Sequence, residues 1–285
     1  MNMKSNIIKS LMLCFVLSLL QSCGSNASRG NSSATEQEPK LIITGSSTIG
    51  PLVSEMGKRF EAQNPKLRVD IQTGGSSRGL SDTAQGLADI GMVSRGLKEG
   101  ETEGRRVFTI ALDGVSPIVN ADNSLIEIDR QQVIDIYTGK IANWQAITGR
   151  DAPITVVNKS EGHSTLELFL QHFQLEPEQV EATVIIGDNQ QGIKTIAGNV
   201  DAIGYVSIGA ASYSIEQGVP IKLLKLDGVE AKVDMVIDGS FPLSRPLNLV
   251  TQGNPNPLAE KFLDFVLAEE NHDLIREQNF VPPKN

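Results

Sequence analysis

Leu41-Ile42-Ile43-Thr44-Gly45-Ser46-Ser47-Thr48-Ile49-Gly50-Pro51-Leu52-Val53-Ser54-Glu55-Met56-Gly57-Lys58-Arg59-Phe60 contains three elements in sequence. The short apolar run Leu41–Thr44 reads as a buried strand. Gly45–Gly50 has the composition of a loop. Pro51 suits the first turn of a helix, where its missing N–H costs nothing. Leu52, Val53, Met56 and Phe60 then recur at helical spacing on one face, and Asn64-Pro65 stops the helix.

The same unit returns twice. Leu67–Ile71 alternates as a strand, Thr73-Gly74-Gly75-Ser76-Ser77 is a loop, and a helix carrying Leu80, Ala84 and Leu87 leads to a strand at Asp89–Val93. Farther on, Ile154–Val157 is a strand, and Gly162-His163-Ser164-Thr165 opens a helix with Leu166, Phe169, Leu170 and Phe173 on one side. Strand, loop and helix in series predict an α/β fold with a largely parallel sheet. Phe108–Leu112 and Val115–Val119 read as two further buried strands, Ala202–Val206 as another. Asp129–Tyr137 reads as a helix ended by Gly139, and Pro257–Leu267 as the last helix.

Each recurring loop is rich in Ser, Thr and Gly and stands before a helix. A helix N-terminus offers unpaired N–H groups and about half a positive charge. Glycine lets a ligand approach the backbone, and hydroxyls add donors, so the combination suits an anion. One terminus supplies only about 0.3–1 kcal/mol, so three must converge to matter. Ordinary N-capping explains any single loop equally well. None of the loops fits the P-loop or dinucleotide fingerprint.

Composition narrows the function classes. The chain has 285 residues, 40% hydrophobic and 21% charged, which is soluble and globular. Residues 1–22 hold Lys4, Lys9 and no acid. The remainder therefore carries 23 Lys and Arg against 34 Asp and Glu, a net −11. That charge, with 5% aromatics, argues against nucleic-acid binding. Both cysteines, Cys14 and Cys23, lie at the N-terminus. The body thus has no disulfide, no thiolate metal site and no Cys nucleophile.

The first 22 residues read as a signal peptide: a basic start, then an apolar run from Leu11 to Leu20 too short to span a bilayer. Leu20-Gln21-Ser22-Cys23 resembles a lipobox, which would put a lipid on Cys23. The segment 23–39 is polar and small and reads as a flexible tether, with a mean reach of about 22 Å.

Six segments, in order, resemble the phosphate-binding proteins of bacterial phosphate ABC transporters. They are Gly45–Pro51, Gly74–Gly79, Ala88–Arg95, Ile136–Trp144, Ala202–Ser207 and Phe241–Pro246. The resemblance covers about residues 41–250. It implies a two-lobed periplasmic-binding-protein fold of the second type with a ligand cleft between lobes. Lobe 1 would comprise 40–117 and 240–285, and lobe 2 would comprise 118–239. Chain crossings are expected near Val115–Val119 and at Ser240–Asn248, the latter an extended connector marked by Pro242 and Pro246.

Carried over residue by residue, the resemblance places anion contacts at Ser47, Thr48, Ser76, Ser94, Arg95, Lys159, His163, Ser164 and Thr165. Two departures stand out. Ser94 occupies a position where part of the family has an Asp that accepts the proton of hydrogen phosphate. Lys159 stands where the family has an Arg, keeping the charge but losing the planar fork. His163 allows two readings: an imidazolium in the pocket that strengthens binding in acid, or a ring turned away that leaves only its N–H.

Asp89 reads as a strand-end cap, Tyr137 and Trp144 as packing, Glu99–Arg106 as a solvated connector, and His172 and His272 as surface helix residues. No metal motif is present, and no cofactor is implied. The function the resemblance implies is a monomeric, lipid-anchored binding protein at the periplasm or cell surface. It would capture inorganic phosphate and deliver it to an ABC permease. Another oxyanion, or a sensing or adhesive role without transport, is the alternative. An enzyme is not expected.

Overall fold

A computed structural model describes residues 39–283. The expected signal peptide, Cys23 and the expected tether up to residue 38 lie outside the described residues. The first half contains β1 (Lys40–Gly45), α1 (Gly50–Gln63), β2 (Arg68–Thr73), α2 (Ser76–Ala84), β3 (Ile90–Val93) and β4 (Arg105–Asn120). Next come β5 (Glu127–Ile128), α3 (Arg130–Tyr137), α4 (Gln145–Thr148), β6 (Thr155–Lys159), α5 (Ser164–Phe173), β7 (Val184–Ile186), α6 (Asn189–Ala197) and β8 (Ala202–Ser207). The chain continues through α7 (Ile208–Glu216), β9 (Ile221–Leu223), β10 (Lys225–Leu226), α8 (Val233–Ile237), β11 (Ser244–Gln252), α9 (Pro257–Leu267) and α10 (His272–Glu277).

The main sheet runs in the order β2-β1-β3-β11-β4-β8-β6-β7. β1 pairs in parallel with β2 and β3, and β6 with β7 and β8. β1 and β3 are buried on both faces, which is why they read as continuous apolar runs rather than alternations. Gly45, at φ +130°, closes β1 tightly: a Cβ there would lie 2.4 Å from the Met92 carbonyl oxygen.

The expected strands at Phe108–Leu112 and Val115–Val119 are one strand, β4. Asp113-Gly114 does not break it, because it changes partner there instead. Residues up to Gly114 pair with β11, and residues from Val115 pair with β8. The expected extended connector at Ser240–Asn248 becomes, from Ser244 onward, strand β11. Pro246 fits for a local reason. It stands opposite Leu112, whose N–H and C=O both bond Val281. β3 covers only Asn248–Val250, so at Pro246 no ladder bond is lost.

Two apolar cores flank this crossing, and the fold is two-lobed α/β. One gathers Leu41, Met56, Phe60, Ile110, Leu249 and Phe262. In it Phe60 meets Phe262 edge-on at 5.2 Å. The other gathers Val119, Tyr137, Trp144, Phe169, Tyr205 and Phe241. There Phe169 stacks on Tyr205 at 3.9 Å, a contact worth about 0.5–1.5 kcal/mol beyond area burial. Tyr137 and Trp144 are packing residues, fully buried.

Three smaller expectations change. Leu87 is 60% exposed because α2 already ends at Ala84. α9 is followed by α10, whose first residue His272 is buried, and His172 is half-buried edge-on against Phe173. Glu99–Arg106 is partly engaged, since Glu101 pairs with Arg95 and Arg105 begins β4. Among the described residues no helix is long and apolar enough to cross a membrane.

Candidate functional site

The loops after β1, β2 and β6 meet. Gly75 (φ +92°) caps α2, and a Cβ there would lie 2.4 Å from the Gly162 carbonyl oxygen. The Ser77 N–H donates to that oxygen at 3.2 Å. Only glycine allows so close an approach at that φ. Side chains tie the same loops. Ser46 Oγ accepts from the Thr48 N–H at 3.2 Å and donates to Ser94 Oγ at 2.9 Å. Ser76 Oγ accepts from the Ser94 N–H at 3.1 Å and from the Ser164 hydroxyl. The end of β3 and the starts of α2 and α5 are thus joined by one chain of hydroxyls.

A buried ion pair closes the cluster. Arg245 on β11 and Asp113 on β4 each expose 1% of their side chains. Arg245 Nε and Nη2 donate to Asp113 Oδ2 at 3.1 and 2.8 Å, and the Gly209 N–H holds Asp113 Oδ1 at 3.2 Å. The remaining guanidinium N–H groups do not stop at the carboxylate. Nη1 donates to Thr165 Oγ1 at 2.9 Å and Nη2 to Thr48 Oγ1 at 3.2 Å. A fourth helix start, α6, adds Asn189, whose Nδ2 donates to Thr48 Oγ1 at 3.1 Å.

The directions of these bonds define the chemistry. A guanidinium and an amide NH2 can only donate. Thr48 Oγ1 therefore accepts twice and its own hydrogen is left over. Thr165 accepts from Arg245 and Ser76 accepts from two donors, so their hydrogens are left over too. Among the described residues none of the three meets a protein acceptor. Hydroxyl donors, helix N-termini and a buried guanidinium converge on a partner that must accept, which describes an oxyanion.

Lys159, the last residue of β6, is 3% exposed, and its Nζ has no hydrogen-bond partner. Burial, and after it the charge of Arg245, pulls its ammonium down to about 7, while Asp188 opposes this. Arg245 is paired with Asp113, whereas Lys159 has no carboxylate bonded to it and can give its charge to an anion.

The structure brings Thr48, Ser76, Ser94, Ser164 and Thr165 into the cluster, with Lys159 buried beside Arg245. Ser47 is half-exposed at its mouth, and the neighbouring Ser46 makes the bonds. Arg95 turns away. Its guanidinium holds Glu101 at 2.6 and 2.9 Å and reaches Glu167 at 3.1 Å, pulling the Glu101 carboxyl down to about 2. His163 caps α5, its Nδ1 lying 3.1 Å from the Ser160 carbonyl oxygen, so the ring is held against its own loop. Asp89 accepts from the Ile42 N–H at 2.8 Å, as a strand-end cap. Sequence reasoning missed Ser46, Asp113, Asn189 and Arg245. Among the described residues no cluster of His, Cys, Asp and Glu could hold a metal ion.

Residues 29–270 match the PBP superfamily domain. The phosphate-binding protein PstS of Bacillus subtilis is 29% identical over 98% of this chain and 94% of its own length. A crystal structure from Clostridium perfringens, described as a phosphate ABC transporter substrate-binding protein with bound phosphate, is 31% identical with a TM-score of 0.80. That match covers 86% of this chain and all of the other. An ABC-type phosphate transport receptor from Vibrio cholerae is 27% identical with a TM-score of 0.70, over 85% of this chain and all of the other. The chain belongs to the PBP superfamily and, within it, to the family of phosphate ABC transporter substrate-binding proteins.

Proposed function

We propose that this protein captures inorganic phosphate at the hydroxyl–guanidinium cluster and delivers it to an ABC permease. The observation that carries the reading is the donor surplus: the leftover hydrogens of Thr48, Ser76 and Thr165 beside Arg245 and Lys159. Family membership and the phosphate-bound relative support it. In this reading the anion contacts come from Thr48, Ser76, Ser94, Lys159, Ser164, Thr165 and Arg245, with the backbone N–H of His163. Ser47 stands at the mouth, and Arg95 acts through its loop rather than its charge.

One further atom favours phosphate over sulfate. Asn189 Oδ1 is buried with no donor, and a protonated phosphate has a donor that sulfate lacks. It would serve the purpose for which Ser94 has no carboxylate. Residues 40–117 with 240–285 would form one lobe and 118–239 the other, closing on the anion. The two apolar cores follow that division except at its edges, where Val115, Phe241, Leu243 and Val281 pack with the core of 118–239. The protein would act as an extracytoplasmic monomer held to a membrane by a lipid on Cys23. It would be a carrier and not an enzyme, since Thr48, Ser76 and Thr165 bond to no imidazole or carboxylate that could act as a base.

Calorimetric titration of ligand-stripped protein with phosphate, sulfate, arsenate and molybdate at pH 6 and 8 tests this. Micromolar or tighter phosphate binding with sulfate rejected supports the reading. Preference for another oxyanion reassigns the cargo, and no binding of any of the four sinks the reading.

A further inference from the structure

Lys159 differs from every other buried cation at the site. Arg245 shares its charge with Asp113, whereas Lys159 Nζ is buried and bonded to nothing. Its surroundings are defined on each side. From β11 it faces the fixed positive charge of Arg245, and from the N-cap of α6 the carboxylate of Asp188. From β8 comes Tyr205, whose hydroxyl lies 3.5 Å from the Lys159 N–H and is otherwise spent on Asn158. In its own loop His163 turns Nδ1 back to Ser160, and Glu161 is exposed. The nearest carboxylates thus leave the amine unbonded, and the nearest cation repels a proton on it.

We infer that capture of an anion at this site takes up a proton at Lys159, so that this protein binds its anion more tightly in acid than in alkaline medium. The inference rests on the anion-site reading above. Burial and Arg245 disfavour a proton on the amine, and Asp188, which favours one, makes no bond to Nζ. A bound anion reverses both effects: it supplies an acceptor and a negative charge beside Nζ. The proton comes from the solvent or its buffer, joins the Nζ lone pair, and leaves again when the anion does. No other bond changes. An arginine at this position would stay charged throughout, so the coupling is a consequence of the lysine.

The sign follows from the geometry and agrees with the ammonium being held at about 7. Below that value the amine is already protonated, and binding takes up no proton. Above it, binding must bring one in, and affinity falls about tenfold per pH unit.

The test compares the full chain with Lys159→Arg by calorimetry, using inorganic phosphate from pH 6 to 9. Phosphate itself titrates in this range, but equally for both proteins, so the ratio of their affinities isolates residue 159. The parent's affinity relative to Lys159→Arg should fall by about 90-fold from pH 6 to pH 9. In two buffers of different ionisation enthalpy at pH 8.5, the parent should take up about one proton more per phosphate than the variant. Lys159→Met, neutral at every pH, guards against poor folding of the arginine variant. It should show the pH profile of Lys159→Arg at weaker affinity. Parallel profiles with equal proton uptake in parent and variants would overturn the coupling while leaving the binding site intact. Absence of phosphate binding in the parent at every pH would overturn the site reading, and the coupling with it.

Discussion

Arg95 and Arg245 are both buried and both paired with carboxylates, yet they do different work. Arg95 lies one residue beyond Ser94, a proposed anion contact. It spends its guanidinium on Glu101, Glu167 and the Gly96 carbonyl. Arg245 uses one edge on Asp113 and keeps the other for Thr48 and Thr165. The difference shows that adjacency to a motif does not make an arginine a ligand. What matters is whether donors remain after its structural partner is satisfied. A buried pair contributes little net stability by itself, so a fully buried pair with donors to spare is better explained by what those donors point toward.

The largest expected effect tests the Arg245 half of this contrast. Arg245→Met should abolish phosphate binding, by at least about a hundredfold. It should also lower stability by about 3–5 kcal/mol, because Asp113 is left buried without its cation. Calorimetry and thermal melting read the two losses separately. If phosphate affinity stayed within threefold of the parent, as a margin of about 0.7 kcal/mol, Arg245 would be purely structural.

Asn189→Leu removes the buried acceptor and the Nδ2 donor to Thr48. Phosphate affinity should fall by about ten- to thirtyfold, the worth of one or two buried hydrogen bonds, while sulfate affinity falls by less. Equal losses for both anions would reduce Asn189 to a positioning role. Thr165→Val keeps shape but deletes the hydroxyl that Arg245 aims. A loss of about tenfold is expected, with melting little changed.

The smallest effect tests the other half. Arg95→Met should leave phosphate affinity within about twofold, since its guanidinium is spent on carboxylates. Its signature lies in acid. In the parent, Glu101 titrates near 2 instead of its ordinary 4.5. A depressed carboxylate stabilises the fold fully above its unfolded value, and that contribution is lost as pH falls from about 4.5 to about 2. The variant should lose that difference, so its acid-unfolding midpoint should move up in pH. A large loss of phosphate affinity in Arg95→Met would break the contrast between the two arginines.

The sequence made the strand–loop–helix units plain, because β1, α1 and α5 combine apolar periodicity with glycine and proline punctuation. The Ser/Thr loops at helix starts marked where Thr48, Ser76, Ser164 and Thr165 lie, but only the family resemblance made them anion contacts, since each loop alone reads as an N-cap. What the sequence hid depends on contacts between distant segments. Arg245 sat in a stretch read as a connector because two prolines flank it, and only the Leu112–Val281 pairing explains why Pro246 tolerates a strand. Asp113 carried an unused signal: a lone carboxylate in the apolar run Val107–Val119 needs a buried partner. Asn189 was missed because the start of α6 is polar until Ile193, so no apolar stripe announced a helix there. β4 was split in two for want of any local sign that a strand can change partners at Gly114.

In the proposed reading the donor surplus around Arg245 holds an oxyanion, and the buried acceptor Asn189 Oδ1 selects one that carries a proton. The most direct measurement is calorimetric titration of the ligand-stripped parent with phosphate and then sulfate at pH 6.5. Phosphate should bind at micromolar or tighter dissociation constant, about 8 kcal/mol or more, with sulfate at least about tenfold weaker. Equal affinity for the two anions, or none for either, would contradict it.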